Sequence, residues 1–391
     1  MKFKYVVSGV AVFSLLVIAP NVSMADSFTQ TNLVSDVPGL ANTLDLNLRN
    51  PWGVSFSPTS PFWISNQASG TSTLYDGAGN KSMLTVTIPP GATPPSGPTG
   101  QVFNTTTGFI LPDGKAASFI FDTLNGTINA WNGGEVTTGV QVASTAGAIY
   151  MGLALGSSGG NSYIYAADST GQIRVFNSNF AATSLSGNFA DPNALPGYVP
   201  FNIQKIGSDL YVTYARLTAQ GVGLPGGYID IFNTDGDFIS RFATGGPLYA
   251  PWGLTVAPAG FGSFSNDLLV GDFGNGEILA YNPTNGAYLG TLDGTDGMPI
   301  VNDFLWSLDF RTGGANTNPD TLYFTAGINN QQDGLFGAIN LAPEPGGLVL
   351  MMVGLLAVGL AKRFKDWRRR RKMKAPTLRA LLTVRRVLHL G

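Results

Sequence analysis

The chain of 391 residues contains no cysteine, and its one histidine is His389. A cysteine nucleophile, a thiolate metal site, a disulfide framework and any histidine-dependent triad in the body of the protein are therefore excluded. Lysine is scarce as well. Between residues 26 and 361 it occurs only as Lys81, Lys115 and Lys205, which argues against Schiff-base chemistry. Charged residues make up only 12% of the chain, and they are unevenly spread. Residues 26–361 hold eight Lys or Arg against 23 Asp or Glu, a net charge of −15. Residues 362–391 hold twelve Lys or Arg and a single acid, Asp366. An acidic body argues against nucleic acid as the main partner, because a phosphate-binding face needs clustered basic side chains on the folded domain. What is abundant is glycine, at 51 residues, with 24 prolines and 11% aromatics. That balance suits an exported β-protein of short strands and tight turns.

Both ends read as targeting segments. Residues 1–25 form a Sec signal peptide, with Lys2 and Lys4 at its start, an apolar stretch over 6–18 and the small-x-small site Ser23-Met24-Ala25. The alternative is an uncleaved anchor helix, for which thirteen apolar-rich residues are short. At the other end Pro343-Glu344-Pro345 precedes an apolar run over 346–361, then Lys362, Arg363, Lys365 and Arg368-Arg369-Arg370-Arg371. Sixteen apolar residues at ~1.5 Å each cover ~24 Å, so a transmembrane helix here needs its flanking Lys and Arg to snorkel. The positive-inside rule puts the basic cluster in the cytoplasm and the main domain outside. The segment 343–372 resembles the PEP-CTERM sorting signal of Gram-negative bacteria. That resemblance implies cleavage near the tripeptide by an exosortase and delivery to the cell surface or exopolysaccharide matrix. The chain departs from the pattern by running on through a basic tail, 373–391. This tail reads either as an amphipathic helix on the inner leaflet or as an unselected extension.

The middle repeats. A glycine is followed five residues later by a large apolar residue and then by Asn or Asp: Gly70…Tyr75-Asp76, Gly126…Trp131-Asn132, Gly171…Phe176-Asn177, Gly227…Phe232-Asn233, Gly276…Tyr281-Asn282 and Gly334…Ile339-Asn340. The stretch between alternates with period two, as in Gly-Gln-Ile-Arg-Val-Phe-Asn. Spacings of 56, 45, 56, 49 and 58 match the four-strand unit of a propeller blade. Short apolar strands precede each glycine at 62–65, 118–121, 163–166, 210–213, 268–270 and 322–324, and further upstream at 52–56, 151–155, 252–256 and 306–310. The expected fold is all-β: a six-bladed β-propeller over 26–342, with residues 31–34 supplying the missing outer strand of the sixth blade. A pair of β-sandwiches explains the six-fold signature poorly.

The signature resembles the NHL/SMP-30-like six-bladed propellers. Residues 32–340 are similar, more narrowly, to an uncharacterised bacterial propeller family, through Asn50-Pro51-Trp52-Gly53-Val54, Phe201-Asn202-Ile203-Gln204, Gly245-Gly246-Pro247-Leu248 and Ala250-Pro251-Trp252-Gly253-Leu254. The resemblance implies the fold and brings no established activity.

Two residue sets are expected at one mouth of the central channel. The first is Asn66, Asp122, Asp168 and Asp272, each three or four residues before a repeat glycine. Converging carboxylates could hold Ca²⁺ or another divalent cation, and SMP-30-like propellers hold a catalytic divalent metal at such a mouth. The alternative is that each caps its own turn through Asx hydrogen bonds. The fourth and sixth repeats carry Ala215 and Gly327 at this position, leaving any ring incomplete. The second set is Trp52, Trp252 and Trp306, which are stacking platforms for sugar rings if exposed and wedges between blades if buried. The irregular loops 89–98, Pro-rich, and 217–227, Gly-rich, receive no role.

Two functions stay open. The preferred reading is a non-catalytic binding or structural propeller of the surface matrix. It passes through the Sec machinery as a membrane-anchored precursor, is sorted by an exosortase, and has exopolysaccharide as a candidate partner. The alternative is a metal-dependent, lactonase-like hydrolase using the channel-mouth carboxylates.

Overall fold

The computed structural model describes residues 26–90, 96–218, 223–343, 354 and 356–370. Six sheets, antiparallel except for one short outermost strand, stand around one axis. Their innermost strands are Pro51–Ser55, Pro98–Phe103, Tyr150–Ser158, Val199–Ile206, Pro251–Val256 and Leu305–Asp309, one for each of blades one to six. Each innermost strand packs against the next, and the sixth packs against the first, so the ring is closed.

The third strands are the repeat signature itself: Thr71–Tyr75, Thr127–Trp131, Gln172–Asn177, Tyr228–Phe232, Ile278–Tyr281 and Leu335–Leu341. Four of the repeat glycines, Gly70, Gly126, Gly171 and Gly276, have φ between 65° and 109°, a left-handed conformation that a tight turn into the strand demands. At Gly126 a Cβ would also meet the carbonyl oxygens of Thr145 and Ala148 at 2.5 and 2.8 Å.

Closure follows the expectation. Phe28–Ser35 pairs antiparallel with Leu335–Leu341, from Phe28 opposite Leu341 to Ser35 opposite Leu335. The N-terminal strand thus becomes the outer strand of blade six. The chain goes one step further than expected, because Thr43–Leu44 adds a fifth, parallel strand outside it.

Burial explains the ring. Apolar clusters fill all six seams between blades. Trp63, Phe119, Phe121 and Trp131 join blades one and two, for example, and Leu33, Phe62, Tyr75, Tyr323 and Phe336 join blades six and one. A seventh cluster sits on the axis. Arg311, only 2% exposed, lies in the sixth-to-first seam against the Phe56 and Phe62 rings, and one of its Nη donates to the Ser57 and Ser60 carbonyls.

Among the described residues no helix is long and apolar enough to cross a membrane. Residues 356–370 are helical and exposed, with Arg368, Arg369 and Arg370 among them. The expected signal peptide, Glu344, Pro345, most of the apolar run 346–361, Arg371 and the basic tail lie outside the described residues.

Candidate functional site

All six innermost strands shift register near their beginning, at Pro51/Val54, Pro98/Gln101, Tyr150/Gly152, Pro200/Asn202, Pro251/Gly253 and Leu305/Leu308. Such an irregularity breaks the alternation of side chains along a strand. It divides the channel into a closed end and an open end.

The closed end carries both residue sets singled out from sequence. Trp52, Trp252 and Trp306 are 3%, 4% and 1% exposed. They meet on the axis, with Trp52 stacked on Trp306 at 3.5 Å between centroids and Trp252 edge-on to both, joined by Met151, Phe201 and Phe273. Just before them Asn50, Ala250 and Phe304 take positive φ of 44°, 53° and 55°, turning the chain sharply into each strand. The Trp252 indole donates to the Met151 carbonyl at 3.0 Å, and that of Trp306 to Asn50 Oδ1 at 3.1 Å. Of the two readings open from the sequence, exposed stacking platforms or buried packing, the rings take the buried one, because apolar surface on three blades is best buried by mutual contact.

Immediately below the plug lies a waist of small residues. A Cβ on Gly53 would stand 2.6 Å from the Thr99 carbonyl oxygen, on Gly100 2.3 Å from the Leu153 nitrogen, and on Gly253 2.4 Å from the Trp306 carbonyl oxygen. Backbones there touch across the blades. Side chains serve the facing carbonyls: Gln101 Nε2 donates to Gly53 at 2.7 Å, Asn202 Nδ2 to Trp252 at 2.7 Å and Thr325 Oγ1 to Trp52 at 2.6 Å.

Asn66, Asp122, Asp168 and Asp272 are all fully buried around this closed end, each on the second strand of its own blade. Asn66 donates to Thr71 and Thr73 at 3.2 and 2.8 Å. Asp168 accepts from the Ile149 and Thr170 amides at 3.1 and 3.0 Å and pairs with Arg174 at 3.0 Å. Asp122 Oδ1 lies 2.7 Å from Thr99 Oγ1, which is also 2.9 Å from the Tyr150 carbonyl oxygen. One hydroxyl proton cannot serve two acceptors, and a proton on Asp122 satisfies both contacts. Burial pushes the Asp122 carboxyl up to about 7, which agrees. Among the described residues neither carboxyl oxygen of Asp272 has a well-formed hydrogen bond, and burial, outweighing the nearby Tyr249 amide, holds it well above the usual carboxylate range. Among the described residues no three His, Cys, Asp or Glu side chains gather as a metal site. The four residues encircle the plug and are not brought together on a shared point.

The open end is a cup of about 470 Å³. All six innermost strands line it, with Gly53, Gly100 and Trp252 at the floor and Thr105, Thr106 and Lys205 toward the rim. Its wall is mostly uncharged and mixes polar side chains, Ser55, Gln101, Asn202, Gln204 and Ser307, with apolar ones such as Phe56, Phe103, Leu153 and Leu155. Ser55 Oγ and Gln101 Oε1 have no hydrogen-bond partner among the described residues and lie buried behind the surface of the cup. The formal charges in the lining are Lys205 and Asp309. Lys205 Nζ bonds the Gly207 carbonyl at 2.7 Å. Asp309 Oδ2 accepts from Ser307 Oγ at 2.6 Å, and burial pushes this carboxyl up to about 7. Sequence reasoning missed Asp309, although one signal was present: it is the only acidic residue on any of the six innermost strands.

The fold and this axial arrangement define a six-bladed β-propeller plugged at one mouth and open at the other. Two Acanthamoeba polyphaga mimivirus proteins are similar to the chain along most of their length. Uncharacterized protein R648 is 34% identical over 323 residues, 78% of either chain. Uncharacterized protein L690 is 31% identical over 326 residues, 78% of this chain and 84% of its own. The chain belongs to the family that these proteins represent. No family model matches it. Among solved structures, the apo form of the soluble aldose sugar dehydrogenase from Escherichia coli superposes with a TM-score of 0.50 at 12% identity, over 81% of this chain and all of that one. At that identity the likeness concerns the fold alone.

Proposed function

We propose that this protein is an exported, ligand-binding propeller whose binding site is the axial cup. The observation that carries the reading is the asymmetry of the channel. One mouth is filled by aromatic rings, while the other holds about 470 Å³ walled by uncharged polar and apolar side chains together. A concave site with a few convergent polar groups is the usual form of a small-molecule site. The size and a wall that mixes uncharged polar groups with apolar surface favour a hydroxylated molecule that also has apolar faces, such as one unit of a surface saccharide. The acidic, cysteine-free domain between a Sec-type leader and a Pro-Glu-Pro segment supports delivery outside the cell with processing by an exosortase. The likeness to PEP-CTERM proteins and to one bacterial propeller family belongs to this part of the reading. The hydrolase alternative needs a shared metal position, and among the described residues no three His, Cys, Asp or Glu side chains gather as one.

A saccharide and polyol panel tests the binding half by calorimetry. Ser157→Trp alters an exposed rim residue of the cup, so the fold should tolerate it. A ligand whose affinity falls at least tenfold in this variant supports the cup; ligands that ignore it overturn the site. Mass spectrometry of the chain expressed in a host with an exosortase tests the export half. A C-terminus near Pro343 is expected, and an intact C-terminus recovered from the cytoplasm overturns sorting.

A further inference from the structure

Asp309 is the one acid among the described residues that line the cup, and it forms no ion pair with them. Its Oδ2 accepts from Ser307, and Oδ1 takes no hydrogen bond from a described residue. Among the described residues no Lys or Arg nitrogen lies within 4 Å of it. The innermost strands on either side, Pro51–Ser55 and Pro251–Val256, carry no charged or titratable side chain. Across its own sheet it faces Tyr323. Arg311, two residues on, is turned into the seam against Phe56 and Phe62, and Lys205, on blade four, holds the Gly207 carbonyl. A half-buried carboxylate with a free oxygen in a concave wall lacks most of its water and has no counter-charge. The rest of the cup offers hydroxyl and amide groups on Gln204, Thr105, Thr106 and Ser157.

Resting on the cup reading above, we infer that the ligand is a small hydroxylated amine: its ammonium pairs with Asp309, and its hydroxyls meet the accessible polar groups of the wall, Gln204, Thr105 and Ser157. A neutral polyol could satisfy the hydroxyl partners and would leave the carboxylate uncompensated. An ammonium supplies both charge and donors, and charge-assisted hydrogen bonds are the stronger kind. The net charge of −15 over residues 26–361 draws such cations toward the domain. Because burial raises Asp309 to about 7, binding an ammonium must expel a proton at lower pH. Affinity therefore weakens as pH falls through 7, approaching tenfold per unit below it.

The test is calorimetry on the full chain with glucamine and sorbitol, two acyclic polyols that differ by one amine in place of one hydroxyl. Glucamine is expected to bind at least tenfold more tightly, about 1.4 kcal/mol. Asp309→Asn should remove that preference, and the wild-type preference should shrink between pH 7.5 and 5.5. The pH arm needs no variant, so it decides the matter even if Asp309→Asn folds poorly. Equal binding of the two polyols, or a glucamine affinity unchanged in Asp309→Asn, overturns the inference while the cup reading stands. If neither these probes nor any saccharide responds to Ser157→Trp, the cup reading fails as well.

Discussion

At the scale of single residues, the buried acids near the plug make stability depend on pH in an unusual direction. Asp122 is fully buried and its carboxyl is raised from the usual range to about 7. A raised acid contributes its full stability below its unfolded pKa and loses it as pH climbs through the folded value. Asp272 acts in the same sense. The protein should therefore melt higher at pH 5 than at pH 8. The Asp122 share is at most about 4 kcal/mol, set by three pKa units at 1.36 kcal/mol each. Asp122→Asn, a neutral isostere that keeps a donor toward Thr99, should flatten the profile and raise the melting temperature at pH 8. Differential scanning calorimetry between pH 5 and 8 checks both; a variant less stable than wild type at pH 8 would show that Asp122 is ionised and well compensated. These acids stood out in the sequence by position before a repeat glycine, but their isolation did not. Whether four polar ends share a point or surround a plug depends on what fills the axis, and the filling residues come from six distant strands.

At the scale of elements, the strands were legible because each third strand carries the same glycine-to-aromatic interval and a period-two pattern. The closing strand was legible too, since the sixth repeat runs out before its outer strand. What remained hidden were the register shifts of the innermost strands. A one-residue slip reverses which side chains face the channel, so strict alternation could not show that Trp306 enters the plug while Asp309 looks into the cup. The two-residue strand Thr43–Leu44 is too short for any periodic signal. Closure by Phe28–Ser35 should be a strong term. Phe28 is 1% exposed and packs on Phe261 with ring centroids 4.9 Å apart. Phe28→Ala is expected to cost about 3–5 kcal/mol, the usual range for emptying a buried aromatic site, as read by urea unfolding. A loss below about 1 kcal/mol would mean that the seam between blades five and six holds without its outer strand.

At the scale of the whole molecule, the start and finish of the ring lie side by side: the Ala342 amide donates to the Ser27 carbonyl at 2.8 Å. The six-bladed body is complete at Leu341, so a chain cut after residue 342 should melt within a degree or two of the full chain. A markedly lower melting temperature would assign the C-terminal segment a part in the fold. The same closure decides how the molecule bears load. The last strand, Leu335–Leu341, is not an edge: it is clamped between Phe28–Ser35 and Leu322–Ala326. A pull at residue 342 along that strand must shear two ladders of hydrogen bonds at once instead of peeling one open. The ring therefore resists a pull from residue 342 more strongly than it would if its last strand were an edge.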